Sequence, residues 1–190
     1  MGQAVFPWLR FATIESGNCF VSGHSAPGRG VENFGLSEHG EQQLAQLVAD
    51  WQWPVPTRVV HSDFLRTTQT AAHVAARFEL VPSVDTRLRE RNFGELEGLG
   101  DELYPSVWAL DAEDAEHQHH GVEALSRVAS RMQAVIGDWE QQVSGEVILL
   151  VSHGDPLQIL LTALAGKPLT SHREQTPLAP ASITLYGHGV

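Results

Sequence analysis

Two hydrophobic periods run through the chain, one of unbroken apolar runs and one that repeats every three to four residues. Val147-Ile148-Leu149-Leu150-Val151 is an unbroken apolar run rich in β-branched residues. Such a run reads as a strand buried on both faces. It stops at Ser152-His153-Gly154, and Pro156 suits the first turn of a helix, continued by Leu157, Ile159, Leu160, Leu161 and Leu164. A second helix is predicted where Leu125, Val128, Met132, Val135 and Trp139 step by three and four along one face. Leu44, Leu47, Val48 and Trp51 follow the same period after Ser37, a suitable N-cap, and Pro54 and Pro56 end that helix. Arg58-Val59-Val60-His61 reads as a short strand. Leu65 to Phe78 reads as a helix, with Ala71, Ala72, Val74, Ala75 and Phe78 on its apolar side.

Between these elements the pattern weakens. Phe11–Ile14 and Cys19–Ser22 are short strand-like runs, and Glu15-Ser16-Gly17-Asn18 between them has hairpin-turn chemistry. Pro27 with Gly28, Gly30 and Gly35 marks an irregular loop. Leu80–Val84 predicts an edge strand interrupted by Pro82. Residues 87–100 have no period and read as a loop; 101–120 mix acids, aromatics and histidines and read as a short helix plus a mobile lid. Ser182–Tyr186 alternates as a final strand. Strands alternating with helices predict an α/β fold: a single three-layer domain over residues 1–190, with a mostly parallel central sheet flanked by helices. Residues 1–18 are expected to be an N-terminal extension or hairpin, and residues 99–120 a lid insertion.

Charge changes the picture by exclusion. The formal net charge is −11, from 23 acidic and 12 basic residues. A nucleic-acid or anionic-membrane surface needs clustered Lys and Arg, so neither partner is expected. A small anion remains compatible wherever a few arginines converge. A single cysteine, Cys19, excludes an intrachain disulfide framework and points to a reducing, cytoplasmic setting. The N-terminal residues lack the basic-then-apolar layout of a signal peptide, and no apolar run approaches membrane-spanning length.

Four chemistry-bearing residues fall at strand ends or in the loops after them: His24, Arg66, Glu90 and His153. Two imidazoles, one guanidinium and one carboxyl suit phosphoryl transfer. One neutral histidine can attack phosphorus. The arginine and the second histidine can hold the equatorial oxygens. The carboxylic acid can protonate the leaving oxygen. His117, His119 and His120 lack the acidic or cysteine complement of a metal site and read as part of a solvated lid. Most of the five tryptophans read as packing, with Trp108, in the lid, as the exception.

Four segments carry a resemblance to the histidine phosphatase superfamily (phosphoglycerate mutase-like). Leu36-Ser37-Glu38-His39-Gly40 resembles the start of its first helix. Ser62 to Ala71 resembles its S-x-x-x-R-x-x-Q-T-A segment, Leu88 to Gly98 its L-x-E-x-x-F-G-x-x-E-G segment, and Val151-Ser152-His153-Gly154 its second-histidine motif. The resemblance covers about residue 19 to the end. It implies that Arg66 binds phosphate, that Glu90 donates the proton, and that His153 is the supporting histidine. It implies no metal and no cofactor.

The family's Arg-His-Gly signature, placed after the first strand, is absent. Two alignments are open. In the first, Gly23-His24-Ser25 takes its place, so the nucleophile survives and the arginine does not. In the second, Phe11–Ile14 is the first strand and Glu15-Ser16-Gly17 takes its place, so both are gone. The first is favoured, since it puts a histidine where the chemistry needs one; Arg29 or Arg10 would then substitute for the lost arginine. The expected activity is hydrolysis of a small phosphate monoester through a phosphohistidine, weakened by that loss. The alternative is an inactive relative that binds a phosphorylated ligand or a protein partner. A short acidic lid speaks against mutase activity and favours a weakly charged leaving group over a sugar bisphosphate.

Overall fold

The computed structural model describes residues 10–15, 33–99, 103–143 and 145–187, the first of these segments as backbone. Its strands are β1 (Arg10–Glu15), β2 (Arg58–His61), β3 (Ser83–Val84), β4 (Val147–Ser152) and β5 (Ile183–Tyr186). Its α-helices are α1 (Glu38–Ala49), α2 (Leu65–Phe78), α3 (Tyr104–Asp111), α4 (Leu125–Gln142) and α5 (Gly154–Leu164). The strands form one sheet in the order β3-β2-β4-β1-β5. Every neighbouring pair is parallel except β1 with β5.

The run at 147–151 is apolar throughout because both faces of β4 are covered. Ile148 and Leu150 enter a core built with Val60, the α4 residues Leu125, Val128, Met132, Val135 and Ile136, and the α5 residues Leu157, Ile159 and Leu160. Leu149 and Val151 enter the opposite core with Val59, Ala71 and Val74, against which Leu47, Val48 and Trp51 pack. The helix periods read in the sequence are these two interfaces. The fold has three layers: α4 and α5, the sheet, then α1 and α2. Ser37 caps α1 as expected, its Oγ accepting from the Gly40 N–H at 3.0 Å. Gln69 in α2 holds the approach to α1 by accepting from the Leu36 N–H at 2.8 Å.

Two expectations need correction. β1 gives one edge to β4 and the other to β5, and the second run of the expected hairpin, residues 19–22, lies outside the described residues. Arg10 pairs with Val147, at the end of the sheet away from Ser152. At ~3.3 Å per residue it lies about 16 Å from the other end, beyond an arginine's reach. The histidine segment is less solvated than its polarity suggested. His117 is buried and its Nε2 lies 2.7 Å from Asp111 Oδ1. A Cβ on Gly94 would strike the backbone of His120 and Gly121, so the loop at 94 and the segment at 120–121 touch through a glycine at φ +58°.

Candidate active site

Parallel strands bring their carboxyl ends to one edge, and the loops there make the site. Ser62 follows β2, His153 follows β4, Arg66 lies in the first turn of α2, and Glu90 lies in the loop after β3. Arg66 Nη2 is 2.9 Å from His153 Nδ1 and 3.8 Å from Glu90 Oε2. His153 Nδ1 is 3.9 Å from the same carboxyl oxygen. The three side chains therefore converge on one spot.

The hydrogen bonds assign the imidazole's proton. A guanidinium can only donate, so His153 Nδ1 accepts from Arg66 and the ring proton sits on Nε2. That proton goes to Ser62 Oγ at 2.9 Å, and Ser62 Oγ lies 2.7 Å from Thr67 Oγ1. Thr67 ties back to the Phe64 carbonyl at 2.8 Å. Burial, then the cations Arg66 and Arg131, push the His153 ring well below its ordinary value, so it stays neutral. The Phe64 ring packs edge-on against it with centroids 4.8 Å apart, excluding water from that side.

Glu90 has the opposite character. Burial pushes its carboxyl up to about 7; Arg66 opposes the rise and Asp155 adds to it. Its loop is clamped from α4. Arg131 Nη1 donates to the carbonyls of Arg87 at 2.6 Å and Arg89 at 2.9 Å, and its Nη2 to that of Glu90 at 3.2 Å. Ser152 Oγ fixes the same loop to β4 through the Leu88 carbonyl at 2.7 Å. Arg91, fully buried, donates its N–H to Glu90 Oε1 at 2.9 Å and both terminal nitrogens to Asp111 at 2.7 Å. Asp155 joins that network 3.5 Å from Arg91 Nη1. Burial would raise Asp155, but the His172 ring and the arginines 91 and 173 hold it below the usual carboxylate range.

Residues 24–189 match the family model of the histidine phosphatase superfamily (branch 1). The chain belongs to that superfamily. Relatives include the glucosyl-3-phosphoglycerate phosphatase of Mycolicibacterium vanbaalenii, 30% identical over 168 residues, 80% of this chain and 73% of the relative. The enzyme of the same name from Mycobacterium tuberculosis is 31% identical over 166 residues, covering 80% of this chain and 74% of the relative. The solved structure of a mycobacterial glucosyl-3-phosphoglycerate phosphatase superposes with a TM-score of 0.75 at 27% identity, covering 93% of this chain and 88% of that one.

Of the residues singled out in the sequence, Arg66, Glu90 and His153 come together at the carboxyl edge of the sheet. His24 and Arg29 lie outside the described residues, as do Ser16 and Gly23. Arg131, Arg91, Asp111 and Asp155 escaped the sequence reading. Arg131 and Asp111 sit inside helices where charge reads as solvated face, and Arg91 in a segment without a period. Asp155 carried a signal, following the second-histidine motif directly into the first turn of α5. Among the described residues no group of three or more His, Cys, Asp or Glu is arranged to hold a metal ion. No described helix is long and apolar enough to cross a membrane.

Proposed function

We propose that the protein hydrolyses phosphate monoesters. The carrying observation is Glu90, a carboxyl raised to about 7 and 3.8 Å from Arg66. A group that titrates near working pH is suited both to give a proton and to take one back. In this reading Arg66 and neutral His153 hold the phosphoryl oxygens, with Arg29 as a further cation. The imidazole of His24 bonds to phosphorus as the bond to the leaving oxygen breaks, and the Glu90 proton passes to that oxygen. Glu90, now a carboxylate, then takes a proton from water as it attacks phosphorus, releasing phosphate and His24. The step calls on no metal or cofactor. The names of the mycobacterial relatives support a small phosphorylated sugar derivative as substrate. The lone Cys19 supports a cytoplasmic setting.

One observation favours a second reading, a phosphate-ester binder without turnover. β1 ends at Glu15, in register with Ser152 and thus one residue short of the position opposite His153. The alignment that takes β1 as the family's first strand puts Glu15-Ser16-Gly17 at the signature, with neither arginine nor nucleophile. Hydrolysis of 4-nitrophenyl phosphate by wild type, His24→Ala and Glu90→Gln decides between them. Turnover lost in both variants, with an acid-labile phosphoprotein in wild type, supports the first reading. A wild type that binds phosphate and never turns over supports the second. Full activity in His24→Ala removes His24 from the mechanism.

A further inference from the structure

The peptide unit between Glu90 and Arg91 carries two hydrogen bonds that point opposite ways. Its N–H donates to Glu90 Oε1 at 2.9 Å, and its carbonyl oxygen accepts from Arg131 Nη2 at 3.2 Å. A peptide unit is planar, so holding the oxygen restricts where the N–H can point. That N–H in turn holds one oxygen of the acid. With Oε1 accepting, Oε2 is left to carry the proton. Oε2 is also the oxygen turned to the site, 3.8 Å from Arg66 Nη2 and 3.9 Å from His153 Nδ1. Arg131 therefore governs the aim of the acid through one rigid plane, without touching the carboxyl.

Glu123, just ahead of α4, completes the grip. It accepts from Arg131 Nε on Oε1 at 2.9 Å and from Nη2 on Oε2 at 3.1 Å. Its main chain holds the two residues after Glu90: its N–H donates to the Asn92 carbonyl and its carbonyl accepts from Arg91 Nε, each at 2.8 Å. Arg131 Nη1 holds the carbonyls of Arg87 and Arg89 on the other side. The pair thus brackets the acid from residue 87 to residue 92. The two side chains are only 17% and 12% exposed, so water competes little. Arg131 spends all its donors here: Nε makes one hydrogen bond, and Nη1 and Nη2 make two each. A lysine keeps the charge but is a compact ammonium on a flexible stem, and cannot reproduce that planar array.

We propose that Glu123 and Arg131 are positioning residues for proton transfer, fixing the Glu90–Arg91 peptide so that Glu90 Oε2 faces the leaving oxygen. The inference rests on the phosphatase reading above. A brace that served only the fold would affect every substrate alike. A brace that aims a proton donor matters only where the leaving oxygen needs the proton.

The test compares phenyl phosphate, whose leaving oxygen is basic, with 2,4-dinitrophenyl phosphate, whose leaving oxygen departs without a proton. It reads kcat/KM, which reports transfer to His24 and not the later hydrolysis. Both substrates are assayed in one preparation, so any misfolded fraction cancels in their ratio. Glu90→Gln is expected to cost about a hundredfold on phenyl phosphate and less than about threefold on the dinitrophenyl ester. Arg131→Lys costs about tenfold on the first and less than about twofold on the second. Glu123→Gln, which leaves Arg131 in place but loosens it, moves the ratio the same way by about threefold. Added to Glu90→Gln, Arg131→Lys costs less than about twofold more, since no donor remains to be aimed. Equal losses on the two substrates, or an unmoved ratio in either variant, overturn the positioning role. So does a tenfold penalty that persists in the Glu90→Gln background. A Glu90→Gln variant that treats both substrates alike removes Glu90 as the acid, and a wild type without turnover removes the phosphatase reading; this inference falls with either.

Discussion

Asp111→Asn removes the negative charge from a buried ion pair while keeping its shape. Arg91 and Asp111 are both 0% exposed, and two hydrogen bonds of 2.7 Å join them. At an effective dielectric of ~20, a unit charge pair about 4 Å apart is worth ~4 kcal/mol. Stranding one partner of a buried pair costs about 3–5 kcal/mol. Asp155, 3.5 Å from Arg91, still answers part of the cation, so the loss should fall near the lower figure, about 3 kcal/mol. A domain holds only about 5–15 kcal/mol in total. With a urea m-value of about 2 kcal/mol per molar, the midpoint should drop by about 1.5 M. Urea unfolding at pH 7, followed by tryptophan fluorescence, measures it. The double variant Arg91→Met with Asp111→Leu removes both charges and should recover part of the loss: the unpaired ion is gone, while His117 and Asp155 each lose a partner. A midpoint for Asp111→Asn within about 0.2 M of wild type would show that the Arg91–Asp111 charge pair does not hold the fold.

Further outcomes follow from Glu90 and its surroundings. The Glu90 carboxyl holds its proton to about pH 7 in the native protein and near 4.5 in the unfolded chain, so the native state binds more protons between those values. Stability should therefore fall as pH rises through that window, and Glu90→Gln should flatten the fall, adding about 2–3 kcal/mol at pH 8 by urea titration. Asp155→Asn removes a negative charge that raises Glu90, so the alkaline limb of the rate, or of phosphate binding, should move to lower pH; an unmoved limb would separate Asp155 from the acid. Ser37→Ala deletes the cap of α1 and should cost about 1 kcal/mol in the same unfolding assay, with Ser37→Asp close to wild type.

Where periodicity is strong, sequence and structure agree closely. α2 runs over Leu65–Phe78 as read, and β2 over Arg58–His61, because each has one face set by burial. The buried strand at 147 gave the same result, its doubly apolar run matching two cores. By period, residues 87–100 were legible only as a loop, and Glu90 stood out through its motif. Their order comes from distant donors, above all Arg131 on α4, and no local pattern announces a clamp of that kind. His117 shows the same limit. A histidine in an acidic, polar stretch reads as solvated, and only the fold reveals that it meets Asp111 in the interior. The partners of β1 were not legible for a topological reason: local pattern marks 11–14 as a strand, while the claims of β4 and β5 on it come from distant sequence.

That placement of β1 has a consequence for how the molecule comes into being. Residue 10 meets residue 147, and residue 11 meets residue 186, so the first of the described strands is wedged between the last two. A nascent chain can assemble β2 with α2 early, but it must carry β1 unpaired until residues 147–186 have been synthesised. Non-local pairing of this kind slows folding and leaves a hydrogen-bonding edge open to strangers in the meantime. Loss of the β5 segment would expose the edge of β1 that it covers, so deletion of residues 183–186 should be felt as aggregation.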